Sequence, residues 1–302
     1  MTRRGWVLFA AMAFIWGIPY LFIKVAVGEV TPATLVFLRS AIGASLLLPI
    51  AVVRKDLAPL RRQWRWLLVY TFVEIAAPWF FISDAERRIS SSLAGLLIAA
   101  VPSIGAGLAF VTGGDRLNSR RIVGLALGFL GVAALVGLDV RADDLGAIGQ
   151  VGLVALCYAI GPMIIERKLR SLPSLGVVAA SLGITAFVYA PFGLTQLPST
   201  LPSPAALFAV AVLGVICTAI GFVLFFALIT EVGAPRATVI TYVNPAVALA
   251  LVVALLAEPF TAGIAVGFVL IVLGSVLATR RAPPATSVSL TEERARPIQS
   301  SQ

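Results

Sequence analysis

Among its 302 residues the chain has no histidine, only two cysteines and few charges, with Asp, Glu, Lys and Arg together making 12%. Each shortage closes off a class of function. Without histidine, both the commonest zinc ligand and the side chain that titrates near neutrality are missing. Cys157 and Cys217 fall inside apolar stretches, so they read as packing residues and give no basis for a disulfide framework. A soluble domain covers its surface with roughly 25% charged residues, about twice what is present. Catalytic signatures are also lacking: there is no nucleophile–base pair, no HExxH helix and no glycine-rich phosphate loop. No enzyme activity, cofactor or metal is expected.

Apolar sequence fills the space. Hydrophobic residues make 60% of the chain, and stretches of about 20 residues, long enough to cross a bilayer as helices, recur throughout. Ten are expected, at 6–27, 33–53, 65–84, 90–112, 120–138, 146–166, 174–194, 205–229, 234–256 and 260–279. Only helices fit, because an open sheet edge finds no hydrogen-bond partners in lipid. The expected fold class is an all-α integral membrane protein. The first stretch is too long, and too polar in its middle, for a cleaved signal.

The net charge of +9 could suggest nucleic acid, but its distribution argues otherwise. If successive loops alternate sides, eighteen of the 23 basic residues share a side with both termini. Three (Arg87, Arg88, Arg141) lie opposite, and Lys24 and Arg39 lie inside spans. Positive-inside sorting produces this asymmetry and predicts cytoplasmic termini. The tail, residues 282–302, is polar and proline-containing, and is expected to be disordered in the cytoplasm.

The chain also echoes itself. At an offset of 143, Pro102 meets Pro245, Asp115 meets Glu258, Gly124 meets Gly267 and Gly131 meets Gly274. At 142, Trp16 meets Tyr158, Lys24 meets Glu166 and Pro49 meets Pro191. Two repeats of five spans follow, residues 1–140 and 141–281. Five being odd, the second must lie inverted relative to the first, as in secondary transporters that rock about a central site. The glycine faces at 124–128–131 and 263–267–274 predict close helix packing, within one chain or between two.

Charges buried in a bilayer are costly and mark candidate sites. Glu74, near the middle of the third span, is expected to meet an ammonium group or a proton, or else to serve a helix contact. Pro78 shares its face at i+4. Lys24 and Arg39 read foremost as snorkelling residues near span ends, otherwise as gating or carboxylate-binding groups. Glu166 reads as a solvated or gate-pairing residue. Trp16, Tyr20 and Lys24 form an i, i+4, i+8 stripe, mirrored by Tyr158, Pro162 and Glu166. The two stripes are expected to face each other and, with Trp79, Tyr242 and Asn244, to wall a substrate chamber; plain packing is the competing reading. Pro102 and Pro245 are expected to break spans four and nine as hinges.

The stretches WGIPYLFIKVA (16–26), LRSAIGASLLLP (38–49), SSSLAGLLIAAVPS (90–103), GDRLNSRRIVGLALGFLGVAAL (114–135) and GAPRATVITYVNPAVALALVVALLAEPFTAG (233–263) resemble the EamA family of the drug/metabolite transporter superfamily. Within that family the chain is most similar to amino-acid exporters. The resemblance covers residues 6–280. It implies ten helices as two inverted five-helix repeats around a central cavity, in a bacterial-type inner membrane, exporting small metabolites such as amino acids by alternating access. Cationic drug efflux is the alternative function, and a non-transport membrane protein a further one. A small-molecule substrate and the lipid bilayer are the expected partners; monomer and homodimer stay open.

Overall fold

The structure is a computed structural model that describes residues 1–112, 119–139, 144–233, 237 and 239–279. The loop carrying Asp115, Arg141 and the tail at 282–302 lie outside the described residues. Among those described there is no strand. Eight helical stretches are long and apolar enough to cross a membrane: α1 (Arg3–Val27), α2 (Pro32–Val53), α3 (Ala58–Ala85), α4 (Ser91–Val111), α6 (Leu145–Leu169), α7 (Ser174–Thr195), α8 (Pro204–Val232) and α10 (Ala262–Thr279). Between them lie α5 (Ser119–Asp139) and a shorter apolar helix, α9 (Ile240–Leu256). The chain is an all-helical, multi-pass membrane protein.

The most extensive pairings are α5 with α10 and α2 with α7. Glycine explains the first. A Cβ on Gly124 would stand 2.4 Å from the Ala278 backbone nitrogen, and one on Gly274 would stand 2.4 Å from that of Gly128. Only bare backbone permits this approach. Both glycine faces are thus consumed against each other within one chain. The α2–α7 pair is closed by Thr34, whose hydroxyl donates to the Gly193 carbonyl at 3.0 Å. Both helices are 22 residues long, with Pro49 and Pro191 at the same register.

Helices α1, α3 and α8 are interrupted where the sequence predicts continuity, and α6 ends in a π-helical stretch, Ile165–Leu169. Helix α1 stops at Ile15 and restarts at Pro19, leaving Trp16, Gly17 and Ile18 as a turn. Gly17 meets α9 here: its Cβ would stand 2.7 Å from Val247. The predicted α1 stripe is therefore divided after Trp16, because the break ends the helical register that would align Trp16 with Tyr20. Helices α3 and α8 each widen into a π-helical stretch, Thr71–Ala76 and Val212–Ile220. A π segment leaves backbone groups out of the regular ladder and recurs at functional sites. Tyr189 on α7 donates to the Ala76 carbonyl at 3.0 Å. Helix α4 breaks at Ala99–Ala100, with Pro102 in the first turn of its second half. Pro245, by contrast, lies in the second turn of an unbroken α9, so the predicted mid-helix break there is not found.

Candidate functional site

Two charged side chains, Arg39 and Glu74, both lie within reach of Tyr158 inside the bundle. Arg39 on α2 is 9% exposed. Its guanidinium carbon lies 3.7 Å from the Trp79 ring centroid, and its Nε donates to Thr218 Oγ1 at 3.0 Å. The snorkelling reading of Arg39 is therefore wrong. The residue faces α3 and α8, and the indole face supplies the cation–π attraction that headgroups would otherwise provide. Thr218 is held in turn by donating to Leu213 O at 2.8 Å, across the π stretch of α8. Trp79 is buried on α3 directly after Pro78, also buried. Among the described residues Arg39 has no carboxylate partner.

Glu74 sits in the π stretch of α3, and its Oε2 is closed off from solvent with no hydrogen-bond partner. The carboxylate is pressed onto α6 at Gly161, where a Cβ would fall 1.8 Å from Oε2. Gly161 went unnoticed in the sequence. Its GPMI context, a glycine before a proline within a helix, is the signal that pointed to it. Tyr158, one turn before Gly161, lies within electrostatic reach of Glu74, Arg39 and the Trp79 indole. Tyr20 is within reach of Tyr158 and Arg39. The cluster is thus Tyr20, Arg39, Glu74, Trp79, Tyr158 and Thr218: one cation, one carboxylate, aromatic walls and a few hydroxyls.

Other predicted residues lie elsewhere. Trp16 does not face Tyr158; its Nε1 donates to the Cys217 carbonyl at 3.3 Å, and its ring packs on Phe222 and Phe225 of α8. Tyr242 is off the cluster as well, its hydroxyl bonded to Thr279 and placed 3.4 Å from Ser275 O on α10. Asn244 can donate to Ile240 O at 3.0 Å and to Ala13 O at 3.1 Å. The second acceptor is a carbonyl left without its helical partner by the break in α1, because the Gly17 N–H goes to Phe14. Pro162 and Glu166 are exposed, so the α6 stripe does not continue into the cluster beyond Tyr158. Lys24 does not snorkel: its Nζ donates to the carbonyls of Glu86 at 2.6 Å and Ile89 at 2.8 Å.

Among the described residues no group of three or more His, Cys, Asp or Glu could hold a metal. Two surface grooves, one beside Thr31, Asp84 and Tyr189 and one beside Arg54, Asp56 and Phe226, are lined by neither Arg39 nor Glu74. We place the candidate site at the enclosed cluster, because unpaired charge costs free energy there that a ligand can recover.

An all-helical, multi-pass bundle that buries a cluster of polar and aromatic side chains defines the class of the chain as an integral membrane protein. The EamA-like transporter family matches residues 3–137 and again residues 147–280, and the chain belongs to it. It is similar to an uncharacterized transporter, YvbV, of Bacillus subtilis, at 23% identity over 97% of this chain and 98% of that one. It is also similar to a "Probable amino-acid metabolite efflux pump" of Escherichia coli, at 24% identity over 91% and 94%. A solved crystal structure shares the fold, with a TM-score of 0.66 at 21% identity, covering 92% of this chain and 97% of that one.

Proposed function

We propose that the protein is a secondary exporter of small zwitterionic metabolites, amino acids foremost, working by alternating access between two inverted five-helix repeats. One observation carries the substrate class. Arg39 is buried and the Oε2 of the half-buried Glu74 is closed off; neither has an ion-pair partner among the described residues, and both lie within reach of Tyr158. A solute with a carboxylate and an ammonium group supplies both missing counter-charges. The Arg39 fork suits a carboxylate, and the aromatic walls take up an apolar side chain. The name of the Escherichia coli relative points to the same class.

Support for the repeats comes from the two successive family matches and from the pairing of helices of equal register, α2 with α7 and α5 with α10. All ten helices then cross the bilayer, with termini in the cytoplasm of a bacterial-type inner membrane on the charge distribution. Cationic drug efflux is the second reading, favoured by Glu74 beside aromatic rings. Arg39 weighs against it, since a guanidinium near the same Tyr158 repels a second cation.

Counterflow in proteoliposomes tests the proposal with leucine, leucinamide and a cationic dye, using wild type, Glu74→Gln and Arg39→Gln. Leucine flux that falls at least tenfold in both variants, with no dye transport, is the expected result. Dye and leucinamide transport that is unaffected by leucine, and persists in Arg39→Gln, would establish the drug reading instead.

A further inference from the structure

A second polar cluster lies at the end of the bundle opposite the termini, where the α3–α4 and α9–α10 connections meet α1. Glu258 caps α4 there. Its Oε1 accepts from the Ser91 N–H at 2.9 Å and its Oε2 from the Ser92 N–H at 3.0 Å. Glu86, at the end of α3, is 0% exposed. Its Oε2 accepts from Ser91 Oγ at 2.9 Å, while its Oε1 is closed off without a partner. Lys24 is beside it, but its ammonium is bonded to backbone carbonyls of the connection rather than to the carboxylate. These contacts draw together three elements that must separate if this end of the pathway is to open.

The two carboxylates are not equivalent. Glu258 has a backbone donor for each carboxylate oxygen, at the start of α4. Glu86 has only one hydroxyl donor, and its full burial and the Glu258 carboxylate nearby disfavour a second negative charge. An ionised Glu86 would leave Oε1, with its share of the charge, facing no donor.

We propose that Glu86 is a proton-binding site that locks this gate: closing takes up one proton from the adjacent aqueous phase, and opening returns it there. Acid on that side then holds the gate shut and alkali releases it. The site regulates access without carrying protons across, because the proton enters and leaves on the same side. The proposal rests on the transport reading above only for its purpose, since the gate itself can be measured without any substrate.

The charged and titratable groups around Glu86 agree with this assignment. Tyr20 and Lys24 face it from α1 and Glu258 from the α9–α10 connection. Asp84, Arg87 and Arg88, on its own element, pair with one another instead. Burial pushes the Glu86 carboxyl well above the usual range; the Ser91 hydroxyl and then Lys24 oppose it without cancelling it, and the neighbouring Glu258 adds the smallest push upward. With the closed-state value raised, the bias toward closure is complete below the ordinary carboxylate pKa of about 4.3. It then declines by about tenfold per pH unit until the raised value is passed.

Ser92 supplies the reporter. It is 3% exposed and its Oγ has no partner, so Ser92→Cys places a thiol inside the lock without removing a bond. In a Cys157→Ala/Cys217→Ala background, maleimide labelling of the detergent-purified protein is followed from pH 5 to 8. The reporter is tested with and without Glu86→Gln. At each pH the ratio of the two rates cancels the reactivity of the thiol itself. The expected ratio rises by about tenfold per unit over the lower part of that range, because glutamine imitates the protonated acid and stays locked. A ratio that is flat with pH overturns the proposal while leaving the transport reading untouched. Should Glu86→Gln fail to fold, Glu258→Gln decides. Labelling that is faster at every pH, with the slope retained, supports Glu86 as the proton site, and loss of the slope assigns the proton to Glu258.

Discussion

Gly161→Ala isolates the position of the Glu74 carboxylate from its presence. The added methyl would lie 1.8 Å from Oε2, 2.8 Å from Cδ and 3.3 Å from Cβ of Glu74. Ordinary contact needs 3.4 Å or more, so the carboxylate end must retreat by about 1.6 Å. The obstacle is the end of a flexible side chain, and a new rotamer or ~30° off-rotamer twist costs about 0.5–1.5 kcal/mol. The protein should therefore fold, with a thermal midpoint in detergent only a few degrees lower. A misplacement of about 1 Å in a charged group at a binding site can cost on the order of 100-fold, so leucine counterflow should fall toward the level of Glu74→Gln. The double variant Gly161→Ala/Glu74→Gln should be little worse than either single one, since both remove the same interaction. Wild-type flux in a folded Gly161→Ala protein would refute the reasoning, because Glu74 could then act from a displaced position or does not act at all.

Two further outcomes follow from the same geometry. Gly124→Ala directs its methyl at the Ala278 backbone nitrogen, 2.4 Å away, where no rotamer can yield. Helices α5 and α10 must separate, and size-exclusion profiles should show loss of folded protein, unlike Gly161→Ala. Glu29 accepts from the N–H and hydroxyl of Ser203 at the start of α8, and these bonds hold its carboxyl below the usual range. Its stabilising contribution is complete above the ordinary carboxylate pKa and declines as pH falls through the lowered value. Melting from pH 6 to 3 should thus show a smaller acid-induced drop in Glu29→Gln than in wild type.

Much of the scaffold was legible in the sequence because lipid imposes a length and a composition that a single chain cannot disguise. The glycine faces of α5 and α10 were visible as spacing, though only the structure shows that they meet each other. The site was harder. A residue's distance from a span end says nothing about the face it occupies, so Arg39, seven residues into α2, was indistinguishable from a snorkelling side chain until Trp79 and Thr218 were seen around it. The stripe from Trp16 to Lys24 assumed a continuous helix, yet WGIP carries a glycine and a proline within four residues, and the chain breaks there. Asn244 and Tyr242 were taken for ligands because polar groups in spans invite it. They instead satisfy a carbonyl freed by that break and a threonine on the neighbouring helix. Glu86 drew no notice, since a carboxylate at a span end looks solvated in one dimension.

Under the inverted-repeat reading, the scaffold is doubled and the chemistry is not. At an offset of 143 Glu74 falls on Cys217, and each lies in a π-helical stretch. Their contacts correspond too: Trp16 of the first half reaches Cys217, and Tyr158 of the second reaches Glu74. Yet one position carries a carboxylate and the other a thiol. At an offset of 142 Arg39 falls on Ser181, which here accepts from Thr71 on α3 at 2.8 Å. Both charges of the cluster thus belong to the first half, and their counterparts in the second are small and neutral. Under that reading, exchange of shape between halves rests on matched packing, as in α2 and α7, equal in length with Pro49 and Pro191 at the same register. The breaks of α1 and α4 are not repeated in α6 and α9. Recognition of one solute at one central site requires a single set of charges, because a duplicated pair would leave two unpaired ions in the bilayer whenever one solute was bound. Duplication on this reading preserves the positions that pack, while the positions that bind are free to diverge.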